Sequence, residues 1–321
     1  MAEKGQDIRL AANFLKEGKL VAIPTETVYG LAGNALNLEA VASIFETKNR
    51  PSFDPLIIHI SGIGQVEKYT VGFPKPLQKL AEKFWPGPLT LLLPRKNIIP
   101  DLVTSGLDRV AVRVPDHELT LALLASLDFP LAAPSANPFG YISPTTAGHV
   151  DAQLGEKIPY ILDGGPCKVG LESTIVGMEG EGVIIYRLGG LEIAEIESIV
   201  GNVKIKDHSS SNPQAPGSLE SHYAPRKPFI LGNLDELIPD FQSRNIDFSV
   251  LSFNRQIEEI PMARQFCLSE KSDLKEAAAN LFAAMRQLDE SGAEVILAEL
   301  MPEVGLGRAI NDRLKRAASK G

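Results

Sequence analysis

Lys48 and Arg50 stand one residue apart in Lys48-Asn49-Arg50-Pro51. Two cations so close repel unless an anion lies between them, and a polyphosphate is the usual one. The plainer account is a helix C-terminus, whose carbonyl dipoles favour positive charge. Arg109 and Arg113 are four apart in an apolar run, so on a strand both project from one face. If that strand is internal, each arginine needs a carboxylate or phosphate partner; if it is an edge, both heads reach water. His59, alone in Leu56-Ile57-Ile58-His59-Ile60, reads as a core histidine or as a ligand. Ser135-Ala136-Asn137 and Ser143 carry groups suited to a ribose or phosphate, and equally to an Asx turn. Ser173-Thr174 has no His and Asp pattern beside it, which argues against a nucleophilic triad. Arg187 precedes Gly189-Gly190, where a backbone can approach a ligand.

The stretch that must organise these groups is Pro24-Thr25-Glu26-Thr27-Val28-Tyr29-Gly30-Leu31. It follows Leu20-Val21-Ala22-Ile23, a short branched run that suits a buried strand. Pro24 cannot donate to a ladder, so pairing stops there and polar side chains project from the strand's end. Ligands gather at such ends in open α/β sheets, although a capped strand-to-helix turn has the same composition.

Composition narrows the classes. At 321 residues the chain exceeds one ordinary core, so two domains are expected. Hydrophobic content of 44% with 22% charged residues fits a globular protein, and no apolar run approaches a bilayer span. The first seven residues lack the apolar core of a signal peptide. Cys167 and Cys267 form no motif, which points to a reducing cytoplasm. The five histidines have no zinc-ligand spacing, and a net charge of −8 argues against broad electrostatic binding of nucleic acid.

Helical periodicity predicts helices over 8–16, 38–46, 75–84 and 118–127, with strands at 20–23, 56–60, 89–93, 110–114, 160–162, 174–176 and 183–187. Strands and helices mix without strict alternation, which predicts a mixed sheet. Residues 207–217 have linker composition. Beyond them, strands at 229–232, 248–251 and 295–298 and a helix capped by Ser272 predict a small parallel α/β domain. The Gly305-Leu306-Gly307 triplet reads as a helix start.

Taken together and in order, several motifs resemble the YrdC-like threonylcarbamoyl-AMP synthases: Pro24–Leu31, Lys48-x-Arg50-Pro51, Pro55-Leu56-x-x-His59, Trp85-Pro86-Gly87, Val112-Arg113-Val114-Pro115, Ser135-Ala136-Asn137 and Ser173-Thr174-Ile175-Val176. His222-Tyr223-Ala224-Pro225 and the following residues match the long form. The resemblance implies an α/β fold, a YrdC-like twisted mixed sheet with helices, plus a smaller Rossmann-like domain. It implies a catalytic domain over 1–205, a linker over 206–227 and a C-terminal domain over 228–321. Asp54 stands where Asn is usual, Arg109 where Thr is common, and Ser218 where the linker motif reads Pro-Gly-Met. Asp54 and Arg109 are expected to compensate each other as an ion pair.

The activity implied is synthesis of L-threonylcarbamoyladenylate from L-threonine, bicarbonate and ATP, with pyrophosphate released, for modification of transfer RNA. By resemblance Thr27, His59, Arg113, Ala133 and Ser173 bind threonine. Lys48, Arg50, Asp54, Arg109, Ser135, Asn137, Ser143, Arg187 and Tyr223 surround ATP, with Lys48 and Arg50 carrying the catalytic charge. Glu26 and Tyr29 are expected only to shape their turn. Mg²⁺ accompanies ATP, no organic cofactor is implied, and the product passes to a tRNA threonylcarbamoyl transferase. A nucleic-acid-binding module is weaker, because aromatics do not interleave with the basic residues. A hydrogenase-maturation carbamoyl transferase needs zinc-ligand cysteine repeats that two cysteines cannot supply. A scaffold role for the C-terminal domain stays open.

Overall fold

A computed structural model describes residues 1–206, 215–216 and 222–319. The expected linker over 206–227, with its composition shift at 207–217 and Ser218, therefore falls mostly outside the described residues. The chain divides into two compact units. One comprises residues 1–139, 144–168 and 172–219, and the other comprises 140–143, 169–171 and 220–321.

The first unit is built on a mixed sheet of eleven strands among the described residues. Their order across the sheet is Glu3–Gly5, Tyr160–Leu162, Val21–Ile23, Gly30–Asn34, Leu131–Ala132, Ile57–His59, Arg109–Arg113, Leu89–Pro94, Thr174–Glu179, Gly182–Arg187 and Lys204–Ile205. Parallel and antiparallel neighbours alternate irregularly, as the unordered mix of helix and strand periods predicts. The Arg109–Arg113 strand lies inside the sheet, so the edge-strand account of its arginines does not apply.

Local chemistry sets the helices. Asp7 caps Ile8–Lys16 by accepting from the amides of Arg9 and Leu10, and Asn37 does the same for Leu38–Lys48. That second helix ends at Asn49, whose φ of 53° is left-handed and turns the chain toward Arg50. Helices Lys75–Phe84 and Glu118–Ala125 match their predicted periods. Leu31, Ile44, Ile58, Leu91, Val112 and Val176 lie in one continuous apolar cluster.

One of the two accounts of the organising stretch does not apply. Pro24–Leu31 does not lead into a helix; it joins two antiparallel strands, with Val21 opposite Ala32 and Ile23 opposite Gly30. Gly30-Leu31-Ala32-Gly33-Asn34 has little intrinsic strand preference, and pairing with its neighbours imposes the conformation. A Cβ on Gly33 would sit 2.9 Å from Leu20 Cδ2, so glycine permits that close packing.

The second unit holds a parallel four-stranded sheet in the order Phe229–Leu231, Val295–Ala298, Phe248–Ser252 and Gln265–Cys267. Its fourth strand is a piece that residue periodicity does not announce. Helices Leu234–Ser243, Leu274–Glu290 and Gly307–Ala318 complete it. The cap of the Leu274–Glu290 helix is Asp273, not Ser272. Asp273 is extended and accepts from Lys275 and Glu276, whereas Ser272 lies at φ 58° outside the helix.

Candidate active site

The Pro24–Leu31 stretch is held by its own hydroxyls. Thr25 Oγ1 accepts from the amides of Thr27 and Val28 at 3.1 and 3.2 Å and donates to the Val28 carbonyl at 2.7 Å. It also lies 2.8 Å from Thr27 Oγ1. Thr120 donates to the Pro24 carbonyl at 2.5 Å. Tyr29 donates its phenol to the Gly165 carbonyl at 2.7 Å, and burial raises its pKa above the usual tyrosine value. The amide of Leu31 reaches the Pro134 carbonyl, and that of Ala136 reaches Tyr29, so the loop over 134–138 is fastened to this stretch. Thr27 is fully buried as a result.

Across the sheet, three of its strands carry a row of polar side chains. His59 is in register with Arg113, and Arg113 with Thr90, so all three side chains share one face. Thr90 Oγ1 lies 2.7 Å from Ser173 Oγ, which extends the row to the start of the next strand. Arg187 donates to the Ser173 carbonyl from Nη2 at 2.8 Å and from Nε at 3.2 Å. Arg113 Nη2 lies 2.7 Å from Glu26 Oε2, and both side chains are 5% exposed. That answers the requirement that a buried arginine have an anionic partner. Burial, and next the Arg113 guanidinium, push His59 down to about 3, so its imidazole is neutral in the physiological range. Its Nδ1 is buried without a well-aligned hydrogen bond, and the backbone of Leu131 and Ile57 opposes the downward shift. Ala133 lies on the same loop, its amide on the Ile57 carbonyl at 3.1 Å.

The cations expected around ATP have specific partners. Lys48 Nζ donates to the Ser135 carbonyl at 2.6 Å and to that of Asn137, tying the helix end to the Ser135-Ala136-Asn137 loop. Burial, followed by the nearby Arg50 charge, lowers its pKa well below the usual lysine range, with Asp54 opposing. Arg50 Nη2 is 2.9 Å from Asp54 Oδ2, and Arg50 also donates to the carbonyls of Asp54 and Pro55. The expected Asp54–Arg109 pair is therefore corrected. Asp54 lies four residues from Arg50 in a local turn, whereas Arg109 donates to Tyr186 Oη at 2.8 Å with its guanidinium over the Tyr186 ring. Gly189 also differs from expectation, since its close approach is to the chain itself. A Cβ there would meet the Glu172 carbonyl at 2.3 Å.

Ser143 and Tyr223 belong to the second unit. The carbonyl of Ser143 accepts from Arg286 Nε at 3.2 Å. Tyr223, at φ 67°, stacks on Phe282 at 5.5 Å, with the guanidinium groups of Arg313 and Arg316 over its ring.

Comparison with known proteins fits this geometry to a family. The Sua5–YciO–YrdC family model, described as telomere recombination, matches residues 13–189. A second model, the threonylcarbamoyl-AMP synthase C-terminal domain, matches residues 191–319. The threonylcarbamoyl-AMP synthase of Pyrococcus abyssi is 42% identical, over 97% of this chain and 94% of its own. The chain belongs to the threonylcarbamoyl-AMP synthase family. The Bacillus subtilis threonylcarbamoyl-AMP synthase is 40% identical, over 97% of this chain and 92% of its own. The crystal structure of P. abyssi Sua5 complexed with L-threonine superposes with a TM-score of 0.92 at 40% identity, covering 99% of this chain and 97% of that one. The expected fold, family and enzyme class, an adenylate-forming nucleotidyltransferase, are thereby borne out. No helix among the described residues is long and apolar enough to cross a membrane.

In this threonylcarbamoyl-AMP synthase relative, two residues at the site, Thr90 and Glu26, are not announced by the sequence. Thr90 is a single hydroxyl in Leu89-Thr90-Leu91-Leu92-Leu93, and that lone polar residue in an apolar strand was the available signal. Glu26 was assigned to its turn because a Glu beside two threonines looks like a cap. Cys167 lies close enough to Glu26 and Arg113 to feel both charges, but burial dominates and pushes its thiol up to about 12. Alkylation at pH 8 followed by mass spectrometry is therefore expected to leave Cys167 unmodified in the folded protein and to reach it after denaturation.

Proposed function

We propose that the protein condenses L-threonine, bicarbonate and ATP to threonylcarbamoyl-AMP and pyrophosphate. Threonine would occupy the row of Thr27, His59, Arg113, Ala133 and Ser173. The observation that carries this is the buried Arg113 guanidinium between His59 and Thr90, in a chain matched end to end by a relative solved with L-threonine. Arg113 offers a fork that fits the substrate carboxylate, beside the neutral His59 imidazole.

The free amine of threonine attacks bicarbonate to give a carbamate and water. A carbamate oxygen then attacks the α-phosphorus as pyrophosphate departs. Positioning and neutralisation of phosphate charge carry such a step. Lys48 and Arg50 supply that charge, with Asp54, Arg109, Ser135, Asn137 and Arg187 as further nucleotide contacts. Mg²⁺ enters with ATP as part of the substrate. The ion would be carried on the ATP phosphates. The product would pass to a tRNA threonylcarbamoyl transferase. Both cysteines are free thiols, which supports a cytoplasmic setting.

Incubation with ATP, bicarbonate and labelled threonine should yield labelled adenylate and pyrophosphate, and omitting threonine should abolish both. Within that assay, Arg50→Lys keeps the charge but loses the fork that grips Asp54 and two carbonyls. Turnover is expected to fall by roughly 10- to 100-fold with an unchanged far-UV circular dichroism spectrum. Unaltered adenylate formation would remove Arg50 from the site.

A further inference from the structure

Glu26 is a buried carboxylate that the established residues leave unexplained. It is 5% exposed, and neither of its oxygens has a protein hydrogen bond. Arg113 faces it at 2.7 Å as a charge partner, without a well-aligned N–H. A buried carboxylate with unused lone pairs is costly, and a donor that arrives with the substrate relieves the cost. Glu26 also lines a cleft of about 460 Å³ together with Asp116, His117, Glu118 and Lys168. The titratable groups around it are thus Arg113, the Cys167 thiol and those four cleft residues.

We propose that Glu26 receives the ammonium group of threonine and takes its proton. The inference rests on the threonine reading above. Free threonine is a zwitterion, with one carboxylate and one ammonium on adjacent carbons. The Glu26–Arg113 pair presents one negative and one positive group side by side, which matches that zwitterion in charge. The ammonium must lose a proton before its nitrogen can attack bicarbonate. The proton passes to a Glu26 oxygen, the nitrogen keeps the electron pair, and the amine then forms the C–N bond as water leaves bicarbonate. The acidic cleft beside Glu26 provides the path by which the proton reaches solvent. Glu26 is therefore a group that selects amino acids over hydroxy acids and also frees the nucleophile.

The test compares the full-length protein with Glu26→Gln, which keeps shape and removes charge. Calorimetric titration without ATP measures L-threonine against 3-hydroxybutyrate, the same skeleton without the amine. Glu26→Gln is expected to weaken threonine by roughly 10- to 100-fold while 3-hydroxybutyrate binds as well as before or better. The turnover deficit of Glu26→Gln should shrink as pH rises, because threonine then arrives as the free amine. Equal loss of both ligands, or an unshifted pH profile, would overturn the proposal in favour of a role confined to holding Arg113. Should Glu26→Gln not fold, Glu26→Asp carries the same comparison, with a smaller fall in the threonine preference expected and an unchanged preference against it. A wild-type protein that binds no threonine would instead refute the underlying reading, a result readily told apart from these.

Discussion

Replacing Arg113 with methionine is expected to cut threonine-dependent adenylate formation by two to three orders of magnitude. The substitution is also expected to destabilise the first unit. The estimate follows from burial. Removing one partner of a buried, charge-paired contact costs about 3–5 kcal/mol, much of it from the charge left behind. Here the charge left behind is Glu26, paired at 2.7 Å and 5% exposed. The two consequences separate in the double variant Arg113→Met/Glu26→Gln. Removing both charges should restore most of the urea midpoint, because a buried pair replaced by neutral groups is often close to neutral in stability. Activity should stay lost, since nothing remains to take the substrate carboxylate. Recovery of turnover in the double variant would show that Arg113 serves only to neutralise Glu26.

Much of this site is legible in the sequence, because most of its motifs lie at strand ends, where ligands collect in open sheets, and Lys48 and Arg50 lie at a helix end. Lys48 with Arg50, His59, Arg113 and Ser173 come from four separated segments, and in the sequence only their order along the chain links them. The residues that escaped notice depend on contacts that residue types do not encode. Thr90 matters because strand register sets it beside Arg113 and its hydroxyl meets Ser173. The expected pairing of Asp54 with Arg109 rests only on both being implied near the nucleotide. A turn brings Asp54 to Arg50 instead, and a partner four residues away costs little chain entropy to meet. Gly30–Asn34 and Gln265–Cys267 were missed as strands for a related reason. Both lack the apolar alternation that announces a strand, and sheet pairing confers their conformation. In the second unit, Ser272 and Asp273 are both good caps by type. Only backbone geometry selects the aspartate.

The same buried row makes the fold sensitive to acid through His59. A free imidazole titrates at 6.5, whereas burial and Arg113 push this one down to about 3. Above pH 6.5 the ring is neutral in both folded and unfolded chains, and its contribution to stability is fully present. Between 6.5 and 3 the unfolded chain takes up a proton that the folded protein refuses, so stability falls with pH by about 1.4 kcal/mol per unit. Below about 3 the loss is complete, at about 5 kcal/mol in order of magnitude. His59→Gln keeps a neutral polar group and has no proton to take up. Urea midpoints measured at pH 7, 5 and 4 should therefore decline more steeply in wild type than in His59→Gln, with a difference of about 3 kcal/mol by pH 4. Parallel declines in the two proteins would mean that His59 accepts a proton in the folded state, beside Arg113, at an ordinary pKa. In that case the neutral imidazole assigned to the threonine site would be lost with it.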